Sequence, residues 1–486
     1  MDGRSPGPAF ILCPFGAAEA TATLPRTPQE GDRTVTEIDR ARLGQLMDRE
    51  RATFRERHPR SGELAEDAKG SLLFGVPMNW MTRWPGDYPV FVDRAEGASF
   101  WDVDGNVFVD FCLGDTGGMA GHAPKVSVDA IAEQAAKGIT LMLPTQDAAW
   151  VGREMARRFG VPYWNFTLTA TDANRFAIRW ARQVTERTKV VVHNWCYHGS
   201  VDESFATLDA DGEVVAREGN VGKPVALNET TRVVEINDVD GLERALAAGD
   251  VAVCMFEPAL TNIGIVLPDP GYHEAVRELC TRYGTLLLID ETHTISAGPG
   301  GCTKAWGLEP DIVTIGKTLG AGIPSAAYGM SQALSDRVYA QTDWKNADVG
   351  GVGGTLAGNA LSLAAMRATL GEVMTDDAFD RMIALGERFE EGVGGVIDSH
   401  GLPWHVVRLG CRVEYLFRAD RARNGNEAAA GQDEELDAFI HLYLLNRGIL
   451  MTPFHNMALM SPATTTEDVD RHTEVFGQAA DELIGG

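Results

Sequence analysis

A chain of 486 residues has room for two or three domains and a large core, and its 44% apolar and 23% charged residues are ordinary for a globular protein. The formal charge of −26 argues against nucleic acid and anionic membrane as partners, because both call for basic surface. No apolar run reaches the length of a membrane span, and seven dispersed cysteines without a CxxC pair suit reduced thiols in a cytoplasm better than a disulfide framework.

Residues 1–36, rich in Pro, Gly and Ala, read as a flexible tail with no basic region before their short apolar patch. Residues 37–110 form the next unit: a charged, helix-prone stretch to about residue 66, expected as an exposed arm or oligomer contact, then a hairpin. The hairpin is predicted by "FVDRAEGASFWDVDGNVFVDF", which alternates apolar and polar residues around Asp104-Gly105. A large domain is expected over 111–357, where the short apolar runs "KVVVHNW", "VAVCMFE", "TLLLIDE" and "DIVTIGK" alternate with amphipathic segments. That alternation signals a mostly parallel sheet between helices. Residues 358–486 open on a helical pattern, "LAGNALSLAAMRATLGEVM", and complete a small α+β domain with the N-terminal segment.

Ligands of such sheets bind beyond the carboxyl ends of the strands, and five predicted strands end in reactive groups. These are the hydroxyls of "TLTATDAN", the Tyr197-His198-Gly199 turn, Glu257, Asp290 and Lys317. Lys317 follows Ile312, Val313 and Ile315 and stands between Gly316 and a glycine-rich turn, so its ammonium is delivered to a crowded place where desolvation is costly. Gly316-Lys317-Thr318 spells the end of a nucleotide phosphate loop, but Asp311 stands where that loop needs glycine, and "TLGAGIP" is a poor helix start. His193, Cys196 and His198 lack the second cluster that a tetrahedral metal site needs, so no metal is expected.

A lysine, an acid on a neighbouring strand end, a hydroxyl-rich strand-to-helix turn and an aromatic turn are the parts that hold pyridoxal 5'-phosphate. Lys317 would form the Schiff base and shuttle protons, and Asp290 would face the pyridine nitrogen. Thr169, Ala170 and Thr171 would meet the phosphate at the start of a helix near Asp172, with Tyr197 on the ring face.

From about residue 75 to the C-terminus the sequence resembles the class III aminotransferases, fold-type I pyridoxal-phosphate enzymes. "EPALTNIGIVLP" is most similar to the glutamate-1-semialdehyde aminomutase and β-amino-acid transaminase branch, with Glu257, Pro258, Asn262, Gly264 and Pro268 in register. "RAEGASFWDVDGNVFVDF", "GHAP" and the spacing from Asp290 to Lys317 also resemble the family. The resemblance implies Lys317 as the Schiff-base lysine, Asp290 as the pyridine partner, Tyr197 as the stacking ring, and Ala170 and Thr171 in the phosphate loop. It also implies Glu257 on the cofactor's hydroxyl side, and Thr355, in "GGVGGTLAGN", reaching the phosphate of a neighbouring subunit in a homodimer with shared sites.

Three departures stand out. Ala170 replaces a glycine of the family loop, Thr292 replaces a valine under the ring, and His293 follows it as a substrate-side acid or base, or as a support. For the substrate, Trp80 and Phe454 stand near positions where relatives carry carboxylate-binding arginines, which suggests a hydrophobic amine or aromatic amino acid. Arg83 and Arg412 are the remaining carboxylate ligands. The expected activity is amino transfer between an amine or amino acid donor and a keto acceptor. The alternative is an aminomutase or racemase acting within one molecule.

Overall fold

The computed structural model describes residues 38–222, 226–453 and 455–485. The expected tail over 1–36 and Phe454 therefore lie outside the described residues.

The charged N-terminal stretch forms two helices, Arg40–Arg57 and Pro59–Ala68. Asp39 caps the first by accepting from the Ala41 and Arg42 N–H groups, and Pro59 opens the second, where its missing donor costs nothing. Neither is a detached arm, because Leu43, Leu46, Met47 and Phe54 are buried and the first helix packs on the helix Glu434–Asn446. Its charged face conceals this apolar stripe from a reading by composition. Glu50, also buried, accepts from Asn446 Nδ2 at 2.8 Å and Arg447 Nη1 at 3.0 Å, which keeps its charge paired.

The predicted hairpin forms, with strands Ser99–Asp102 and Val107–Asp110 joined across Asp104-Gly105 and extended by Val92–Glu96. Ile449–Leu450 adds to it in parallel, with Ile449 opposite Val109, so chain segments from the two ends share one small sheet. A second small sheet, antiparallel, joins His405–Leu409, Arg412–Leu416 and Met457–Leu459.

The central sheet has seven strands in the order Tyr163–Thr167, Ala326–Met330, Ile312–Ile315, Leu286–Asp290, Val251–Phe256, Lys189–His193, Thr231–Val234. Only Ala326–Met330 runs against the rest, pairing antiparallel with both of its neighbours. Every residue of Val251–Phe256 and Leu286–Asp290 is buried, as strands covered on both faces require. Helix Ala170–Thr185 crosses the sheet and buries Ala173, Phe176, Ala177, Ile178, Ala181 and Val184 against it. Asp290 lies opposite Thr314 in parallel register, which brings the carboxyl ends of these two central strands, and hence Asp290 and Lys317, to the same end of the sheet.

Candidate active site

Gly316 explains why the strand before Lys317 ends as it does. A Cβ there would lie 3.0 Å from Ala170 Cβ and 3.1 Å from Ala170 N, so a glycine lets the strand end pack against the start of the crossing helix. Lys317 itself has φ +60°, a left-handed conformation that costs a non-glycine residue about 1–2 kcal/mol. The turn aims its Nζ at Asp115 Oδ2, 3.0 Å away, and at His293 Nε2, 2.8 Å away.

Asp290 is held from three directions. Its Oδ2 accepts from His198 Nδ1 at 2.9 Å and Asn174 Nδ2 at 2.8 Å, and its Oδ1 accepts from the Thr292 N–H at 3.0 Å. Asn174 is fixed in turn by Thr314 Oγ1, which donates to its Oδ1 at 2.6 Å. Burial pulls the carboxyl up, but the His198 contact first, then Thr292 and Asn174, outweigh it and hold the pKa at about 2. Asn174 and His198 were not singled out as Asp290 partners in the sequence, although both lie inside quoted motifs, "TLTATDAN" and the Tyr197-His198-Gly199 turn.

The crossing helix starts at Ala170, two residues earlier than the start expected near Asp172. Thr169 is its N-cap: the hydroxyl accepts from the Asp172 N–H and donates to Asp172 Oδ2 at 3.0 Å, so it serves the helix end. Thr171 Oγ1 accepts from the Ser200 N–H at 3.0 Å, tying this turn to the one that carries Tyr197. The tie requires Gly199, which has φ +75° and whose Cβ would fall 2.2 Å from Thr171 Oγ1. Gly199→Ala should therefore separate the two turns and weaken binding of the phosphate-bearing cofactor by roughly tenfold, or about 1.4 kcal/mol. Fluorescence titration with pyridoxal phosphate checks this, and unchanged affinity would show that the tie has no part in binding.

Thr169, Ala170, Thr171, Tyr197, Asp290, Thr292, His293 and Lys317 together line one cavity of about 460 Å³. Two features of it fit pyridoxal phosphate. Thr292 Oγ1 is buried without a hydrogen-bond partner among the described residues, and Asp290 Oδ1 accepts only one bond while its carboxylate lines the cavity. A ring with a protonated nitrogen and a neighbouring polar substituent answers both, and the helix N-terminus with its free N–H groups suits a phosphate.

Glu257 stands behind this wall, accepting from the Tyr197 N–H at 3.3 Å and from the Thr261 hydroxyl, with burial pushing its pKa up. The substrate residues are less well gathered. Trp80 belongs to a separate apolar cavity with Phe54, Trp84 and Tyr88, and Arg83 is exposed beside it. Neither lines the Lys317 cavity, and since Phe454 is undescribed, the aromatic pocket read from the sequence gains no residue here. Arg412 is fully buried: Nη2 donates to Thr261 O at 2.9 Å and Nη1 approaches His293 Nδ1 at 3.2 Å. Thr355 is exposed in a surface cavity with Thr140, Met142 and Pro144, outside the Lys317 cavity of its own chain.

Asp115 was missed in the sequence. It lies on a run of four left-handed residues, Leu113, Gly114, Asp115 and Thr116, with φ of +45°, +56°, +48° and +82°. Backbone of this kind is costly for non-glycine residues and collects at functional sites. Burial works against the Asp115 charge, yet the neighbouring cations, Lys317 before Arg412, hold the carboxyl well below its usual range. His293 is pushed well below its own usual range by burial first and then by the Lys317 and Arg412 charges, against the pull of Asp115, so its ring is uncharged near neutrality. The glycine-rich "GDTGG" was the available signal.

Residues 80–479 match the sequence profile of the family described as aminotransferase class-III. A crystal structure of a glutamate-1-semialdehyde-aminomutase from Pseudomonas aeruginosa PAO1 is 51% identical, with a TM-score of 0.90 over 92% of this chain and 99% of that one. A lysine-to-alanine variant from the same organism, in complex with PMP, gives the same values. A glutamate-1-semialdehyde 2,1-aminomutase of Chloroflexus aggregans is 31% identical over 82% of this chain and 92% of its own length. A β-phenylalanine aminotransferase from Variovorax paradoxus is 25% identical, with a TM-score of 0.80 over 90% of this chain and 97% of that one. The fold, the cavity at the strand ends and these likenesses agree: the chain belongs to the class-III aminotransferase family and is a pyridoxal-phosphate enzyme of fold type I.

Proposed function

We propose that this protein is an aminomutase, moving an amino group between neighbouring carbons of one molecule, and that glutamate 1-semialdehyde or a close analogue is its substrate. The observation that carries this reading is the 51% identity, over nearly the whole of both chains, to the Pseudomonas aeruginosa aminomutase. It replaces intermolecular transfer, the activity expected first from the sequence. The hydrophobic or aromatic substrate expected with it leaned on Trp80, which lies in another cavity, and on Phe454, which lies outside the described residues.

Bound pyridoxal phosphate supplies an aldehyde that takes up amines and a ring that withdraws electrons from the neighbouring carbon. The chain's residues do the rest. Lys317 would be the reacting amine and would move a proton at Nζ, and Asp290, ionised, would accept from the ring nitrogen. Thr171 and the N–H groups at the start of helix Ala170–Thr185 would hold the phosphate, while Tyr197 would cover the ring and exclude water. Glu257 supports the Tyr197 turn through its N–H.

The test supplies glutamate 1-semialdehyde alone, with no second amino or keto compound. The expected product is the isomer whose amine has moved from carbon 2 to carbon 1, formed in many turnovers. A single turnover that stops once a keto product equal to the enzyme has been released supports transfer and overturns the proposal.

The enzyme is further proposed to be a cytoplasmic homodimer with shared sites. Leu141, Met142, Leu143, Val349 and Leu356 are all about half exposed or more, and three of them stand next to Thr355 or line its cavity, an apolar surface that a second copy would cover. Among the described residues no helix is long and apolar enough to cross a membrane, and no group of His, Cys, Asp or Glu is placed to hold a metal ion. If Thr355 reaches the partner's phosphate, Thr355→Ala removes a hydrogen bond to a charged group, about 1.5–3 kcal/mol, and cofactor affinity falls roughly ten- to a hundredfold. Mixing inactive Lys317→Ala chains with Thr355→Ala chains at limiting cofactor should restore activity, because one site of each mixed dimer is whole. A persistently inactive mixture, with mixed dimers shown to form, counts against the shared site.

A further inference from the structure

Arg412 carries a full charge with no exposed surface, yet its nearest carboxylate oxygen, Asp115 Oδ1, is 3.7 Å away. Its closest side-chain contact is a nitrogen: Nη1 lies 3.2 Å from His293 Nδ1, and Nη2 is anchored on Thr261 O at 2.9 Å. A guanidinium has donors and no acceptor, and it does not lose its proton in proteins. Nδ1 can receive this bond only through its lone pair, and a neutral imidazole with a bare Nδ1 carries its single proton on Nε2. Thr116 Oγ1, 3.2 Å from the same Nδ1, can donate or accept and has no say in the choice. Nε2 is the atom 2.8 Å from Lys317 Nζ.

We propose that Arg412 is a positioning residue that fixes the His293 tautomer, so that His293 presents an N–H, and not a lone pair, to the Lys317 nitrogen and to whatever replaces that nitrogen in the cavity. The hydrogen bonds then run in one direction: Arg412 Nη1 to His293 Nδ1, His293 Nε2 to Lys317 Nζ, and Lys317 Nζ to Asp115 Oδ2. The second of these bonds requires a lone pair on Nζ, which Lys317 has only in the amine form that attacks an aldehyde; the ammonium paired with Asp115 does not receive it. When Nζ turns to the cofactor, the Nε2–H faces the cavity and is offered to an oxygen or nitrogen of the substrate. Burial first, then the charges of Lys317 and Arg412, push the His293 ring well below its usual range against the pull of Asp115 and Asp290. The strained run from Leu113 to Thr116 brings both Asp115 and Thr116 to the same few ångströms, a second sign that this arrangement is selected. Arg412 thereby becomes unavailable as a substrate carboxylate ligand.

The inference rests on Lys317 being the reacting amine, but its readout needs no turnover, so it can fail while the aminomutase reading stands. Nitrogen NMR of the full-length holoenzyme with labelled histidine, with His293→Gln subtracted to assign the signal, should show His293 protonated on Nε2 and bare on Nδ1 from about pH 6 to 8. Arg412→Lys should keep that pattern and Thr116→Val should leave it unchanged. Arg412→Met should move the proton to Nδ1, toward Asp115 Oδ1 at 3.5 Å. A proton on Nδ1 in the wild type overturns the proposal, as does a tautomer that follows Thr116→Val or ignores Arg412→Met. If Arg412→Met does not fold, the wild-type, Arg412→Lys and Thr116→Val spectra still decide.

Discussion

Lys317→Ala is expected to lower turnover by roughly 10³-fold or more while the protein still folds and still binds pyridoxal phosphate. The size follows from two losses in one residue. The amine that bonds to the cofactor's aldehyde disappears, and so does the group that moves the proton, itself worth about 10²–10⁴. Cofactor binding survives because the Asp290 carboxylate and the Thr171 turn do not depend on the Lys317 side chain. The fold survives because alanine relieves a partly exposed cation, although Asp115 loses a partner 3.0 Å away and its acidity should weaken. Single-turnover absorbance with excess substrate measures the rate, and borohydride reduction of the wild type should fix the cofactor on Lys317 alone. Label on Lys304 or Lys345, both exposed, or a rate within tenfold of wild type, would remove Lys317 from the centre of the site.

The residues that could be read from sequence are those that strand ends deliver. Asp290 and Lys317 follow uninterrupted β-branched or leucine runs, and a parallel sheet places such ends side by side whatever the loops do. Thr171 was legible from the hydroxyl-rich turn "TLTATDAN" that leads from a strand into a helix. Ala326–Met330 was not, because "AAYGM" carries little strand propensity. It becomes a strand because Gly329 lets the Trp164 ring lie across the backbone, where a Cβ would come within 2.5 Å of it. Asp115 was hidden by distance and by conformation. It meets Lys317 across 202 positions of sequence, and it does so from a left-handed run that no local pattern predicts. Arg412 could be seen as an arginine but not as a buried one. Its role depends on which atom of His293 it meets, and that is set by the pairing of Arg412 with Leu409 and Leu459 in a sheet built from distant segments. Trp80 shows the opposite failure, in which a position inferred from similar sequences has a different neighbourhood in the folded chain.

Asp290→Asn should keep the fold and reduce turnover by roughly 10²–10⁴, and the geometry says why an isosteric amide cannot substitute. His198 Nδ1 and Asn174 Nδ2 both approach the Oδ2 side, so the amide oxygen of asparagine must settle there. Its NH₂ then occupies the Oδ1 position, facing the Thr292 N–H and the cavity, where a donor meets a donor. A protonated ring nitrogen is repelled from that surface, and a ring that cannot keep its proton withdraws electrons poorly. The carboxyl pKa of about 2 adds a check on pH. Because the folded value lies below the ordinary 3.8, the charge is complete above that value and is lost only as pH falls toward about 2. The wild-type rate should therefore show no acid limb from Asp290 between about pH 5 and 8. In Asp290→Asn the loss should be uniform across that range, with circular dichroism and cofactor content close to wild type. Near-normal turnover in the variant, or a loss that recovers as pH falls, would mean that a group other than Asp290 holds the ring nitrogen.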